Sequence, residues 1–345
     1  MNLDSDSGKN IDSKFFPVGK IEPRFLEDLI SSIPEDKRVI VGPQVGEDAA
    51  VVDFGANYLV IKTDPITFTS ENIGWYVVNI NANDLACMGA TPRWLLVTLL
   101  LPSRTTKELV RDVFDQITSA CRKLGISLVG GHAEVTHNLD RTLAVGNMVG
   151  EVPRDRLIRS SGAKVGDVIV LSKGIAIEGT HVIYQKKKEE LEKRLPAAML
   201  RKIRDLIYEP GISVVKEALL ASQRVKIHSM HDPTEGGLKS GLWELAHASR
   251  VGVRVEKEKI AVLEETKKVC ELYELDPLGL LASGSLILTL DRKEAERLSR
   301  IYTQRGIRHS IIGEITPPEE GMKIIQKGQE FELVVDNKDE ISKLL

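Results

Sequence analysis

Acidic residues placed at or near the ends of short apolar runs constrain this chain more than any other feature. They read Gly46-Glu47-Asp48-Ala49-Ala50, Thr63-Asp64, Asn81-Ala82-Asn83-Asp84-Leu85-Ala86 and Gly130-Gly131-His132-Ala133-Glu134. An unpaired carboxylate in an apolar core is too costly to keep. A fold that carries four such segments therefore turns the acids either to solvent or toward a shared cation. Asp, Glu and Asn oxygens suit a hard cation with a phosphate partner, Mg²⁺ above all. Four independent solvated turns satisfy the same spacing.

Composition narrows the class. The 345 residues are expected to form two domains, and 42% hydrophobic with 28% charged residues suits a globular enzyme. The net charge of −3 supplies no global field for nucleic acid. No apolar stretch approaches the roughly 20 residues that span a bilayer, and residues 1–14 lack a secretory h-region. Cys87, Cys121 and Cys270 fall at spacings that build neither a disulfide framework nor a zinc site. A reducing cytoplasm is the expected compartment.

Along the chain, residues 1–16 read as a disordered tail. Strands are expected at 39–41, 49–53, 58–62, 94–101, 126–129 and 141–149, and helices at 23–33, 73–88 and 105–124, the last closed by Gly125. The polar stretch 154–165 marks a boundary between domains at 17–155 and 156–345. The second domain reads as strands at 167–171, 225–229, 252–256, 285–290, 308–316 and 321–326. Its helices are expected within 178–222 and at 235–250 and 293–305. The fold class is α+β, with helices on one face of a sheet.

Asp48 and Asp64 sit beside strands and can converge on one Mg²⁺, although an Asp there also serves turns and helix caps. Asn79, Asn81, Asn83 and Asp84 crowd one otherwise apolar helix, which calls either for a buried amide network or for a polar ligand. Gly130-Gly131 has the form of a turn after a strand that could approach an anion. Asp232-Pro233-Thr234-Glu235-Gly236-Gly237 places Thr234 as a cap of the following helix, whose N-terminus could hold an anion. His132, between the glycines and Glu134, is the histidine best placed for ligand contact or proton transfer. The pairs His132/His137 and His228/His231 lack a third ligand with zinc spacing. Neither a Walker loop nor Gly-x-Gly-x-x-Gly is present.

Taken in order, these motifs resemble the aminoimidazole-ribonucleotide synthetase (PurM-like) superfamily over 19–313. Gly46-Glu47-Asp48-Ala49-Ala50 is similar to its Gly-Asp-Asp-Ala-Ala. The segments at Asp64, at Asn83 to Ala86, and at Gly130 to Glu134 are similar to its other ATP–Mg²⁺ segments. Residues 83–102, 210–214 and 232–238 are most like the hydrogenase-maturation member HypE. The resemblance implies a two-domain α+β protein whose N-terminal, ATP-binding sheets pair into a barrel across a homodimer. It implies Mg²⁺ ligands at Asp48, Asp64, Asp84 and Glu134, and nucleotide contacts at Lys20, Asn83, Gly130 and Gly131. His132, Glu134, Asp232 and Thr234 become the catalytic side. ATP would activate an oxygen of an amide-like acceptor, small or protein-borne, with a maturation partner protein and no nucleic acid or membrane. A thiamine-phosphate type of kinase and a non-catalytic nucleotide-binding scaffold are the alternatives. HypE proteins end in a cysteine tail, whereas this chain ends Glu340-Ile341-Ser342-Lys343-Leu344-Leu345. Its three cysteines all fall in helix patterns, so none is expected to carry a cyano group.

Overall fold

The computed structural model describes residues 21–34, 36–336 and 338–344. The tail at 1–16 and Lys20 lie outside the described residues. The first sheet runs in the order β1-β2-β3-β6-β4-β5, from Val39–Val41 (β1), Ala50–Phe54 (β2), Asn57–Ile66 (β3), Thr91–Leu101 (β4), Ser127–Val135 (β5) and Leu143–Pro153 (β6). Only β4 and β5 pair in parallel; the other neighbours are antiparallel. A short helix, Pro23–Ile30 (α1), precedes it, and Ile73–Cys87 (α2) and Lys107–Leu124 (α3) pack together against it.

The second sheet has the order β13-β12-β9-β11-β7-β10-β8. Its strands are Val168–Ser172 (β7), Ser229–His231 (β8), Gly252–Glu256 (β9), Ile287–Leu290 (β10), His309–Thr316 (β11), Met322–Gln326 (β12) and Gln329–Glu332 (β13). The helices here are Ile177–Lys186 (α4), Lys188–Arg194 (α5), Ala197–Asp205 (α6), Val215–Arg224 (α7), Gly237–Ser249 (α8), Glu264–Tyr273 (α9) and Arg292–Gln304 (α10).

Local chemistry explains the best-defined elements. Thr106 caps α3 by accepting from the Leu109 N–H at 3.2 Å, and Gly125 ends it at φ +70°, a left-handed conformation that glycine adopts freely. Every residue of α2 is buried, because this helix packs against β3 and β6 on one side and against α7 and β8 on the other. One apolar cluster accordingly runs from Val41 through α2 to Ile307, across both sheets.

The structure corrects several expectations. The strand read at 126–129 continues to Val135, so Gly130-Gly131 lie inside β5 rather than in a turn. Pairing passes from Leu95–Leu128 to Leu96–Gly130, which leaves Val129 as a bulge. A Cβ on Gly131 would stand 2.0 Å from the Val97 carbonyl oxygen, so close backbone approach selects the glycine. The strand read at 225–229 is displaced to Ser229–His231. Thr234 does not cap the helix: α8 has Gly236 as its N-cap, and the Gly236 N–H donates to Asp339 at 2.7 Å. The apolar run of β4 is covered on one side only in the single chain, for Trp94 and Leu96 remain 38% and 40% exposed.

Candidate functional site

The inward row of β3 reads Val60, Lys62, Asp64 and Ile66, because alternate residues share a face. Val60 and Ile66 are buried in the core; Lys62 and Asp64 interrupt that row with charge. Asp64 is thus interior to its strand, not at its end. From α2, Asp84 faces them: the Lys62 Nζ stands 3.4 Å from Asp84 Oδ2 and 3.5 Å from Asp64 Oδ2. The loop before β2 supplies Asp48, and the residue after β8 supplies Asp232.

Asp48, Asp84 and Asp232 are buried, which departs from the expectation that such acids avoid the interior. Partners keep them there. Asp48 accepts from Ser160 Oγ at 3.0 Å and bonds His231 Nδ1 at 2.5 Å, and His231 Nε2 meets Glu244 at 2.9 Å. Asp232 Oδ1 accepts from the Cys87 thiol at 3.3 Å. Yet Asp84 Oδ2 and Asp232 Oδ2 are buried with no hydrogen-bond partner among the described residues, an arrangement that costs free energy in a finished core. Oxygens of this kind fit a hard cation. Cys87 also falls within 4.8 Å of Asp48 and Asp232, but burial and the Asp232 and Asp48 charges push its thiol well up. The thiol stays protonated and leaves the carboxylates as the donor set.

Electrostatics follow the geometry. Burial pulls the Lys62 ammonium down, but Asp84, Asp64, Asp48 and Asp232 outweigh it and hold its pKa above the ordinary lysine value. Burial, with Asp48 beside it, raises Asp232 to about 7. Burial raises Asp84 well above the carboxylate range, against the pull of Lys62. Burial opposes charge on His231, but Asp48 and Glu244 prevail and raise it well above 6.5. Glu178 on α4 is raised to about 7 by burial.

A stability prediction arises from these shifts. A raised carboxyl lets the folded state hold a proton that the unfolded chain has released, so its stabilising share is lost as pH rises through about 7. His231 acts in the same direction above its unfolded value. His181, lowered to about 4 by burial, is neutral in both states once the pH exceeds the ordinary histidine range. The melting temperature of the ligand-free protein is therefore expected to fall by roughly 3–6 °C between pH 6.5 and 8. Differential scanning calorimetry across that range checks it; a flat or rising profile contradicts the clustered acids.

The remaining sequence candidates lie elsewhere. Glu47 is tied to the Ser160 N–H at 3.2 Å and to the Ser161 hydroxyl. Asn83 donates to the Ile212 carbonyl at 2.9 Å and accepts from the Val214 N–H at 2.8 Å. Asn81 likewise joins α2 to the Asp64 backbone. The Thr234 carbonyl accepts from Gly237 and Ala282 at 3.1 Å each. His132 and Glu134 bond each other at 3.1 Å on the exposed edge strand β5. Two strands separate β5 from β3, a span of roughly 14 Å at about 4.8 Å per step. They do not join the acidic group within one chain, and neither do Gly130 and Gly131. Lys62 is not among the sequence candidates, and His231, which the sequence offers only as half of a zinc pair with His228, joins the site through Asp48 instead. The signal for Lys62 was a charge on the inward face of an apolar strand.

Two family models match the chain: the AIR synthase related protein N-terminal domain over 46–152 and the C-terminal domain over 164–325. A Methanocaldococcus jannaschii protein whose name assigns it to hydrogenase expression/formation is 26% identical over 317 residues, covering 89% of this chain and 91% of that protein. Carbamoyl dehydratase HypE of Rhizobium leguminosarum is 26% identical, over 79% of this chain and 77% of its own. Selenide, water dikinase of Aeromonas hydrophila is 30% identical, over 86% and 91%. Among solved structures, AaThiL complexed with AMPPCP and TMP aligns with a TM-score of 0.74 at 20% identity, covering 95% of this chain and 99% of that one. The hydrogenase maturation protein HypE in complex with ATP aligns at 0.66 and 24% identity, over 86% and 91%. These relatives share the two-domain α+β architecture described above, and the chain belongs to the AIR synthase related family of enzymes.

Proposed function

We propose that this protein is an ATP- and Mg²⁺-dependent enzyme of the HypE type, which activates an oxygen of an amide-like acceptor by phosphorylation during hydrogenase maturation. The observation that carries the reading is the meeting of Asp48, Asp64, Asp84 and Asp232 from four separate segments, with buried oxygens on Asp84 and Asp232 that accept no hydrogen bond from the described residues. Solvated turns would leave no such orphans. Asp48, Asp64 and Asp84 hold the cation, and Asp232 faces the acceptor. When bound, Mg²⁺ supplies charge neutralisation for the phosphates; the chain's own part is to position groups and exclude water.

The uncovered face of β4 and the exposed edge β5 form the surface on which a second copy pairs, and His132 and Glu134 reach a nucleotide only through such pairing. A maturation partner presents the acceptor in the cytoplasm. The acceptor is not a cysteine of this chain's own core: Cys87, Cys121 and Cys270 are all buried, and burial raises the last two thiols to about 11 and about 12.

The test is ADP release with and without Mg²⁺ against a panel holding carbamoylated peptides, free carboxamides, thiamine monophosphate and selenide. Mg²⁺-dependent release stimulated only by the amide-type acceptors is the expected result. Stimulation by thiamine monophosphate alone would replace the reading with a kinase, and nucleotide binding without turnover on any acceptor would leave a scaffold.

A further inference from the structure

Lys62 sets a positive charge between two members of the acidic group, Asp64 and Asp84, while His231 lies against Asp48. The Lys62 side chain is 24% exposed and stands on the inward row of β3, between the core residues Val60 and Ile66. The ammonium lies within 3.4 and 3.5 Å of two carboxylates on different elements and also in the field of Asp48 and Asp232. Those distances exceed the 2.7–2.9 Å typical of charge-assisted hydrogen bonds. The Asp84 Oδ2 that faces it has no hydrogen-bond partner among the described residues. Lys62 thus offsets the charge of the group without using up its three donors, and it stands between Asp64 and Asp84.

We propose that Lys62 is a built-in counter-cation of the cleft, which contacts a phosphate oxygen of the bound nucleotide and replaces one divalent ion there. The proposal rests on the ATP–Mg²⁺ reading and extends it to the number of ions used. Four carboxylates and a triphosphate cannot share a small, buried space without cations. A tethered ammonium supplies one positive charge permanently and leaves Asp48, Asp64 and Asp84 to hold the exchangeable ion. A purely structural ion pair would instead keep Lys62 away from the nucleotide and leave the ion count unchanged.

The experiment counts Mn²⁺ bound per chain by electron paramagnetic resonance, at saturating non-hydrolysable ATP analogue. The wild-type protein, Lys62→Met and Lys62→Arg are compared, with folding of each followed by circular dichroism. The wild-type chain is expected to take up one Mn²⁺ with the nucleotide, Lys62→Met two, and Lys62→Arg one. The dependence of nucleotide binding on Mn²⁺ should correspondingly steepen from first to second order in Lys62→Met alone. Two ions in the wild-type chain, or equal counts in wild type and Lys62→Met, overturn the proposal. The wild-type count decides even where Lys62→Met does not fold, and Lys62→Gln serves as the second neutral variant. Failure of the wild-type chain to bind the analogue at any Mn²⁺ concentration overturns the ATP reading itself, and this inference with it.

Discussion

Asp84→Asn is expected to weaken Mg²⁺–ATP binding by about 100-fold or more while leaving the ligand-free protein at least as stable as wild type. Removal of a group that merely orients a metal ligand costs about 10–100-fold in affinity, and Asp84 is read as a ligand itself. The stability half of the prediction comes from burial. Asp84 is 4% exposed, its Oδ2 accepts no hydrogen bond from the described residues, and burial together with Asp232, Asp64 and Asp48 disfavours its charge. A neutral amide of the same shape removes that penalty, at the expense of the Lys62 contact, which is long. Isothermal titration with ATP and Mg²⁺, paired with thermal melting, reads both quantities. Unchanged affinity would take Asp84 out of the site. A large loss of melting temperature would mean that the carboxylate is held in place for structural reasons and that the orphaned oxygen has no ligand to await.

The contrast between the legible and the illegible parts of this chain has a physical origin. Asp48, Asp64 and Asp84 could be singled out because acids beside apolar runs violate the expectation for a core, and such a violation is visible one residue at a time. Their meeting with Asp232 was not visible, since it depends on β8 packing beside α2 across some 150 residues of sequence, and no local pattern encodes that approach. Lys62 falls at the end of the strand expected at 58–62, where a charged residue is ordinary. Alternation shows its significance, for the inward row Val60-Lys62-Asp64-Ile66 carries two charges where two more aliphatic residues would pack. Gly130-Gly131 misled in the opposite way. Glycine pairs after an apolar run normally mark a turn, but here the contact with the Val97 carbonyl demands a residue without Cβ inside a strand. Thr234 obeyed the local capping rule and lost to Asp339, which reaches the Gly236 N–H from a distant segment. Local rules failed where a tertiary partner supplied the same hydrogen bond.

Asn83 separates two readings that the sequence left open, and Asn83→Leu is expected to decide between them. Both ends of this amide are engaged by backbone: the nitrogen donates to Ile212 and the oxygen accepts from Val214. Asn83, Ile212 and Val214 are all fully buried. Leucine keeps the branched outline, with bulkier methyl groups, but leaves a carbonyl and an N–H without partners in the core, at about 1–3 kcal/mol each. The sum predicts a melting temperature lower by roughly 5–10 °C. Folding itself should survive, because Lys173 also holds this segment, through the Gly211 and Ser213 carbonyls at 2.9 and 2.5 Å. Nucleotide affinity measured on the folded protein below its transition should change less than about threefold, since the amide has only one hydrogen left to offer a ligand. The opposite pattern, an intact melting temperature with nucleotide binding lost, would assign Asn83 to the nucleotide and show that its bonds to the 212–214 backbone give way when a ligand enters.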